Sequence, residues 1–131
     1  MTRRDRAEIV IACVLLPLAL QLFSAARALH WMRRVPPRRG PSPRPEDLAW
    51  GVEYVLRRAP GIWHHSCLRR AVVLGALLRR AGRDADVVIG VRRAAAGAFE
   101  AHAWLRCDGV EPYLEPGAVE GFATLRPAAL S

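Results

Sequence analysis

The chain has 131 residues, enough for one domain with a buried core and too few for two. Apolar residues make up 52%, which excludes a wholly disordered polymer. The net charge is +8 and every basic residue is arginine. That composition speaks of a coding bias, and without any groove-reading motif it gives no reason to expect a nucleic-acid partner.

The charge is concentrated at one end. Residues 1–46 hold nine arginines against Asp5, Glu8 and Glu46, a net of +6, whereas residues 47–131 hold eleven against nine acids. An apolar run, IVIACVLLPLALQLFSAA, fills residues 9–26 behind the arginines of the first six positions. This grammar fits three states: a helix docked on its own domain or on a partner, a membrane attachment, or a secretory signal. From Arg27 to Arg44 come six arginines, no acids and four prolines, expected to form an extended, solvated linker. The expected division is therefore 1–45, an apolar helix plus a basic linker, and 46–131, the main folded domain. Residues 9–32 are the expected contact with a membrane or a partner.

Pro45-Glu46-Asp47 opens a helix over about 46–58, which Pro60-Gly61 ends. A second helix starts near Ser66-Cys67 and stops at Arg79-Arg80 and Gly82. Residues 85–91 and 99–106 read as strands, and Glu111–Glu115 is expected as a third, paired with the second around Asp108-Gly109. Two helices followed by an antiparallel meander make an α+β fold.

Cys67 heads an apolar stripe through Ala71, Leu74 and Leu78, with Arg69, Arg70 and Arg80 expected away from it. The positive end of a helix favours a nucleophilic thiolate, although a cysteine there is also an ordinary core residue. In the expected hairpin, Arg106 faces Glu111, Trp104 faces Tyr113 and His102 faces Glu115. Asp108 then sits six residues along the strand from His102, roughly 20 Å away, and is the weaker acid candidate. Thiol, imidazole and carboxylate form a nucleophile, base and orienter, with backbone N–H groups near the helix start as an oxyanion hole. Trp63 either packs the core or lines a peptide cleft beside Cys67. Cys107 and Cys13 read as bystanders. A zinc set from His64, His65, Cys67 and His102 is disfavoured, because adjacent histidines point apart and the metal would consume the nucleophile. The sparse cysteines suit a reducing, cytoplasmic setting, and no cofactor is expected.

The runs W-x-x-S-C-L-R-R-A-V-V-L-G-A-L-L-R-R-A-G, V-V-I-G-V-R-R and F-E-A-H-A-W-L-R-C-D-G-V carry a resemblance. From about Trp50 to Glu115 the chain resembles the transglutaminase-like cysteine peptidases of lasso-peptide biosynthesis. These are small B-type leader peptidases, similar to the C-terminal domain of microcin-processing B proteins. The resemblance implies a papain-like core in which Cys67 is the nucleophile and His102 the base. It places an acid after the H-A-W strand, usually Asp, to which Glu115 is matched here. Trp63 and Trp104 are the expected substrate-binding aromatics. It also implies three partners: a precursor with a leader peptide, a separate leader-recognition protein and an asparagine-synthetase-like cyclase. Two other functions use the same residues, a thiol-dependent acyl transferase and a non-catalytic scaffold for precursor and cyclase.

Overall fold

The computed structural model describes residues 2–58, 67–93, 97–115 and 119–125. In chain order the elements are α1 (Arg3–Leu22), α2 (Ala25–Arg33), α3 (Pro45–Arg58), α4 (Cys67–Arg80), β1 (Ala85–Arg93), β2 (Phe99–Cys107) and β3 (Ala123–Leu125).

α1 begins six residues ahead of the apolar run because Thr2 and Asp5 form a capping box, each side chain accepting from the other's backbone N–H. Ser24 caps α2 through the N–H of Arg27, so the run breaks into two helices. α1 buries Ile9 and Cys13 and leaves Val10, Ile11, Val14 and Leu15 exposed. Among the described residues no helix is long and apolar enough to cross a membrane.

α4 is the axis of the molecule. Everything from Arg70 to Leu78 is buried, with α1, α2 and α3 packed on it as well as the sheet. Its end is a Schellman turn, in which Gly82, at φ 84°, donates to Arg79 and Arg83 donates to Leu78. Gly75 lets the neighbours come close. A Cβ there would lie 2.8 Å from Met32 Sδ on α2 and 3.1 Å from Leu105 Cδ2 on β2. One core, from Ile9 and Met32 through Leu56 and Leu74 to Leu105, runs across residue 45 without a break.

The structure corrects the expected solvated linker from Arg27 to Arg44 in part. Its first part is α2, because the prolines start only at Pro36. The rest, residues 34–44, is irregular and mostly exposed as expected, but it is tied to the end of α4, where Arg38 N–H donates to the Arg80 carbonyl at 2.7 Å. The side chain of Arg38 is buried, with Nη1 2.6 Å from Asp5 and 3.2 Å from Glu8, and Arg80 completes the group at 3.4 Å from Glu8. Two acids at the start of α1 thus fasten the proline segment. Arg79 ties the same region to the sheet, donating to the carbonyls of Arg33 and Ala85.

The sheet has the order β2-β1-β3, all antiparallel. The first two strands fall where expected, and Ala85 pairs with Cys107 through to Arg93 with Phe99. The expected third strand at Glu111–Glu115 does not form. That segment leaves the ladder after a tight turn, and β1's second neighbour is the short β3 instead. Asp108 and Leu114, at φ 50° and 49°, turn the chain away from the extended conformation a ladder requires.

Two predictions follow from this packing. Gly75→Val forces a branched side chain between α2 and β2 and should lower stability by about 2 kcal/mol, seen as a lower urea midpoint. The Thr2 backbone N–H, and then the Arg38 guanidinium, hold the Asp5 carboxyl at about 2, below the ordinary 3.8, against the opposing effect of burial. A depressed folded pKa stabilises above the unfolded value and is lost as pH falls through the folded one. The stability gap between wild type and Asp5→Asn should therefore be full at pH 5 and shrink steadily between pH 4 and pH 2, measured by urea titration at each pH.

Candidate active site

Side chains alternate along β2. Ala103, Leu105 and Cys107 enter the core beneath α4, and His102 and Trp104 stand on the other face. There they meet Phe122, whose ring centroid lies 5.7 Å from that of His102 and 5.9 Å from that of Trp104. The His102 and Trp104 rings are 5.8 Å apart. Gly90, opposite His102 on β1, makes this cluster possible, since a Cβ there would fall 2.5 Å from the Trp104 ring. Arg92 lies over the outer face of Phe122 at 4.4 Å and is held by Glu100 at 2.7 Å.

The segment after β2 folds back over this cluster. Cys107 and Val110 bridge, and Tyr113 N–H donates to the Leu105 carbonyl at 2.8 Å. Trp104 Nε1 donates to Glu111 at 3.0 Å. Glu115 Oε1 comes to 3.3 Å from His102 Nε2, with the carboxylate only 4% exposed and the imidazole 21%. The expected facing of His102 and Glu115 is thus present without the ladder that was expected to produce it. The other two expected pairs are corrected. Glu111 reaches Trp104 instead of Arg106, whose nearest acid is Asp86 at 4.0 Å, and Tyr113 meets the β2 backbone instead of Trp104.

Asp108 has other work. Its carboxylate accepts from the Asp84 N–H and from Arg83 at the far end of the strand. Trp104, expected to touch substrate, is 3% exposed with its indole N–H committed to Glu111. It braces His102 from the side and offers no open face. Trp63, His64, His65 and Ser66 lie outside the described residues. Among the described residues no cluster of three metal-ligating side chains occurs.

Cys67 is the first residue of α4, half-buried against the core. Among the described residues no hydrogen bond joins it to His102. Glu115 occupies Nε2 of that ring, so Nδ1 is the nitrogen left to meet a thiol. The other two cysteines are poor nucleophiles. Burial pushes Cys13 up to about 12, and burial followed by the charge of Asp108 pushes Cys107 up to about 11.

Arg70, expected on the outer side of α4, is 6% exposed. Its Nε lies 2.6 Å from Glu53 on α3, and its Nη2 donates to the Leu114 carbonyl at 2.6 Å. A helical stripe drawn from apolar positions alone passes over a buried arginine. The signal that points to it is Glu53, an acid on the neighbouring helix.

With the native protein, iodoacetamide is expected to label Cys67 and leave Cys13 and Cys107 unmodified, as read by peptide mass mapping. Labelling of all three at equal rates would contradict this arrangement.

No curated protein and no solved structure matches the chain. The sequence pattern of the Transglutaminase-like superfamily matches residues 10–126. That span runs from within α1 and takes in Cys67, the His102–Glu115 pair and β3, and the mixed helical and antiparallel architecture agrees with it. The chain belongs to the transglutaminase-like superfamily, a fold of the cysteine peptidase and acyltransferase type.

Proposed function

We propose that this protein is a cysteine peptidase that removes the leader from a lasso-peptide precursor. The observation that carries the chemistry is the buried Glu115 carboxylate on His102 Nε2, in a chain of this superfamily whose one half-buried thiol opens the central helix. In this reading Glu115 fixes the imidazole with its proton on Nε2. Nδ1 then accepts the Cys67 proton as sulfur attacks the scissile carbonyl, and the same nitrogen returns it to the departing amine. Water hydrolyses the thioester in the second half of the cycle. Backbone N–H groups at the start of α4 are the donors for the oxyanion. The contact between Cys67 and His102 forms in the substrate complex, since catalytic hydrogen bonds in free enzymes are often long.

The choice of leader peptides as substrates rests on the resemblance of residues 50–115 to the B-type leader peptidases. So do the remaining parts of the proposal: a separate leader-recognition protein acting in trans, and a cyclase of the asparagine-synthetase type that takes the released core. The exposed apolar side of α1, with Val10, Ile11, Val14 and Leu15, is the surface proposed for the recognition protein.

The test is to incubate the protein with the precursor encoded beside it, with and without the recognition protein, and weigh the products. Cys67→Ala and His102→Ala should each lower kcat by about a thousandfold or more, and Glu115→Gln by a smaller factor. A Cys67→Ala variant that still releases leader at the wild-type rate removes the peptidase reading. Transfer of the acyl group to an added amine, with no hydrolysis, assigns the thiol to an acyl transferase. Partner binding without any Cys67-dependent chemistry identifies a scaffold.

A further inference from the structure

We propose that Arg70 is a positioning residue for the Glu115–His102 pair, an inference that rests on the catalytic reading of Cys67, His102 and Glu115 given above. Arg70 stands three positions after Cys67, so both lie on one face of α4. Its guanidinium is buried and uses two edges. Nε binds Glu53 on α3 and Nη2 binds the carbonyl of Leu114, each at 2.6 Å. Leu114 is the residue before Glu115, and its backbone is left-handed at φ 49°. That conformation is unfavourable for a leucine, so something must hold it. The Arg70 hydrogen bond is charge-assisted and is fixed in direction by Glu53.

The consequence is a short physical path. The first turn of α4, which presents Cys67, grips the peptide group that leads into Glu115, and Glu115 fixes His102. Nucleophile and base are thereby referred to one helix, although they stand on different elements. An arginine suits this task where a lysine does not, because its planar fork serves the carboxylate and the carbonyl in fixed directions.

The experiment follows the His102 ring in the 15N-labelled full-length protein by NMR, with the resonance assigned through its loss in His102→Gln. In the wild type the Nε2 proton held by Glu115 should appear far downfield and exchange slowly. Near-UV circular dichroism checks that each variant is folded. In Arg70→Met that proton should vanish into exchange, and kcat for leader release should fall about a hundredfold, as expected for misplaced catalytic groups. KM should stay within about twofold, since Arg70 touches no substrate. Arg70→Lys should keep the fold, show a weakened proton and lose about tenfold in kcat, and it decides the matter where the Met variant does not fold. A folded variant of either kind with the wild-type His102 proton overturns the proposal, as does absence of that proton from the wild type. If the wild type cuts no precursor but the proton still depends on Arg70, the peptidase reading fails and the positioning role stands.

Discussion

Burial of α4 on every side is the constraint that shapes the rest of the molecule. A helix enclosed by three others and a sheet has no solvated face on which to place a charge or a bulky group without a partner. Gly75 meets this demand by size, letting Met32 and Leu105 close over the helix. Arg70 meets it by satisfaction, with one edge on a carboxylate and another on a carbonyl. Both solutions bear on function, because the same helix presents Cys67 at its start and carries the sheet that holds His102.

The arginines look different in this light. A chain without lysine at net +8 suggests a surface seeking an acidic partner. Most of the described arginines are indeed exposed, but several bridge elements distant in sequence. Arg38 joins the proline segment to α1, Arg79 joins the end of α4 to both α2 and β1, and Arg33 on α2 reaches Asp86 on β1 at 3.0 Å. Arg33 and Arg79 each use two donor nitrogens, which a point charge would do less well. The sequence count records these residues as net charge, whereas the fold uses them as fasteners.

What was legible before folding was what local patterning dictates. α3, α4, β1 and β2 were visible because their caps and periodicities are written within ten or twenty residues, down to Gly82 at the end of α4. The pairing of His102 with Glu115 was legible too, although by a faulty route, since a hairpin register and a folded-back loop both return the chain to the same place. The loop itself was not legible. Its course depends on Leu105, Trp104 and Arg70, three contacts from two elements, none encoded in the segment's own residues. β3 was invisible for a related reason: three residues carry no periodicity, and their pairing is decided by the free edge of β1. The break between α1 and α2 turned on a single cap, Ser24, inside an otherwise apolar run.

The excursion after β2 has one more effect. β2 is an outer strand, and an outer strand exposes unpaired N–H and carbonyl groups that invite a neighbouring molecule to add its own strand. Here the Cys107 and Val110 bridge and the Tyr113 hydrogen bond to Leu105 occupy that row over its second half. The segment that delivers an acid to the imidazole therefore also shields the sheet against intermolecular stacking, and a variant that loosened it would be expected to sacrifice colloidal behaviour together with chemistry.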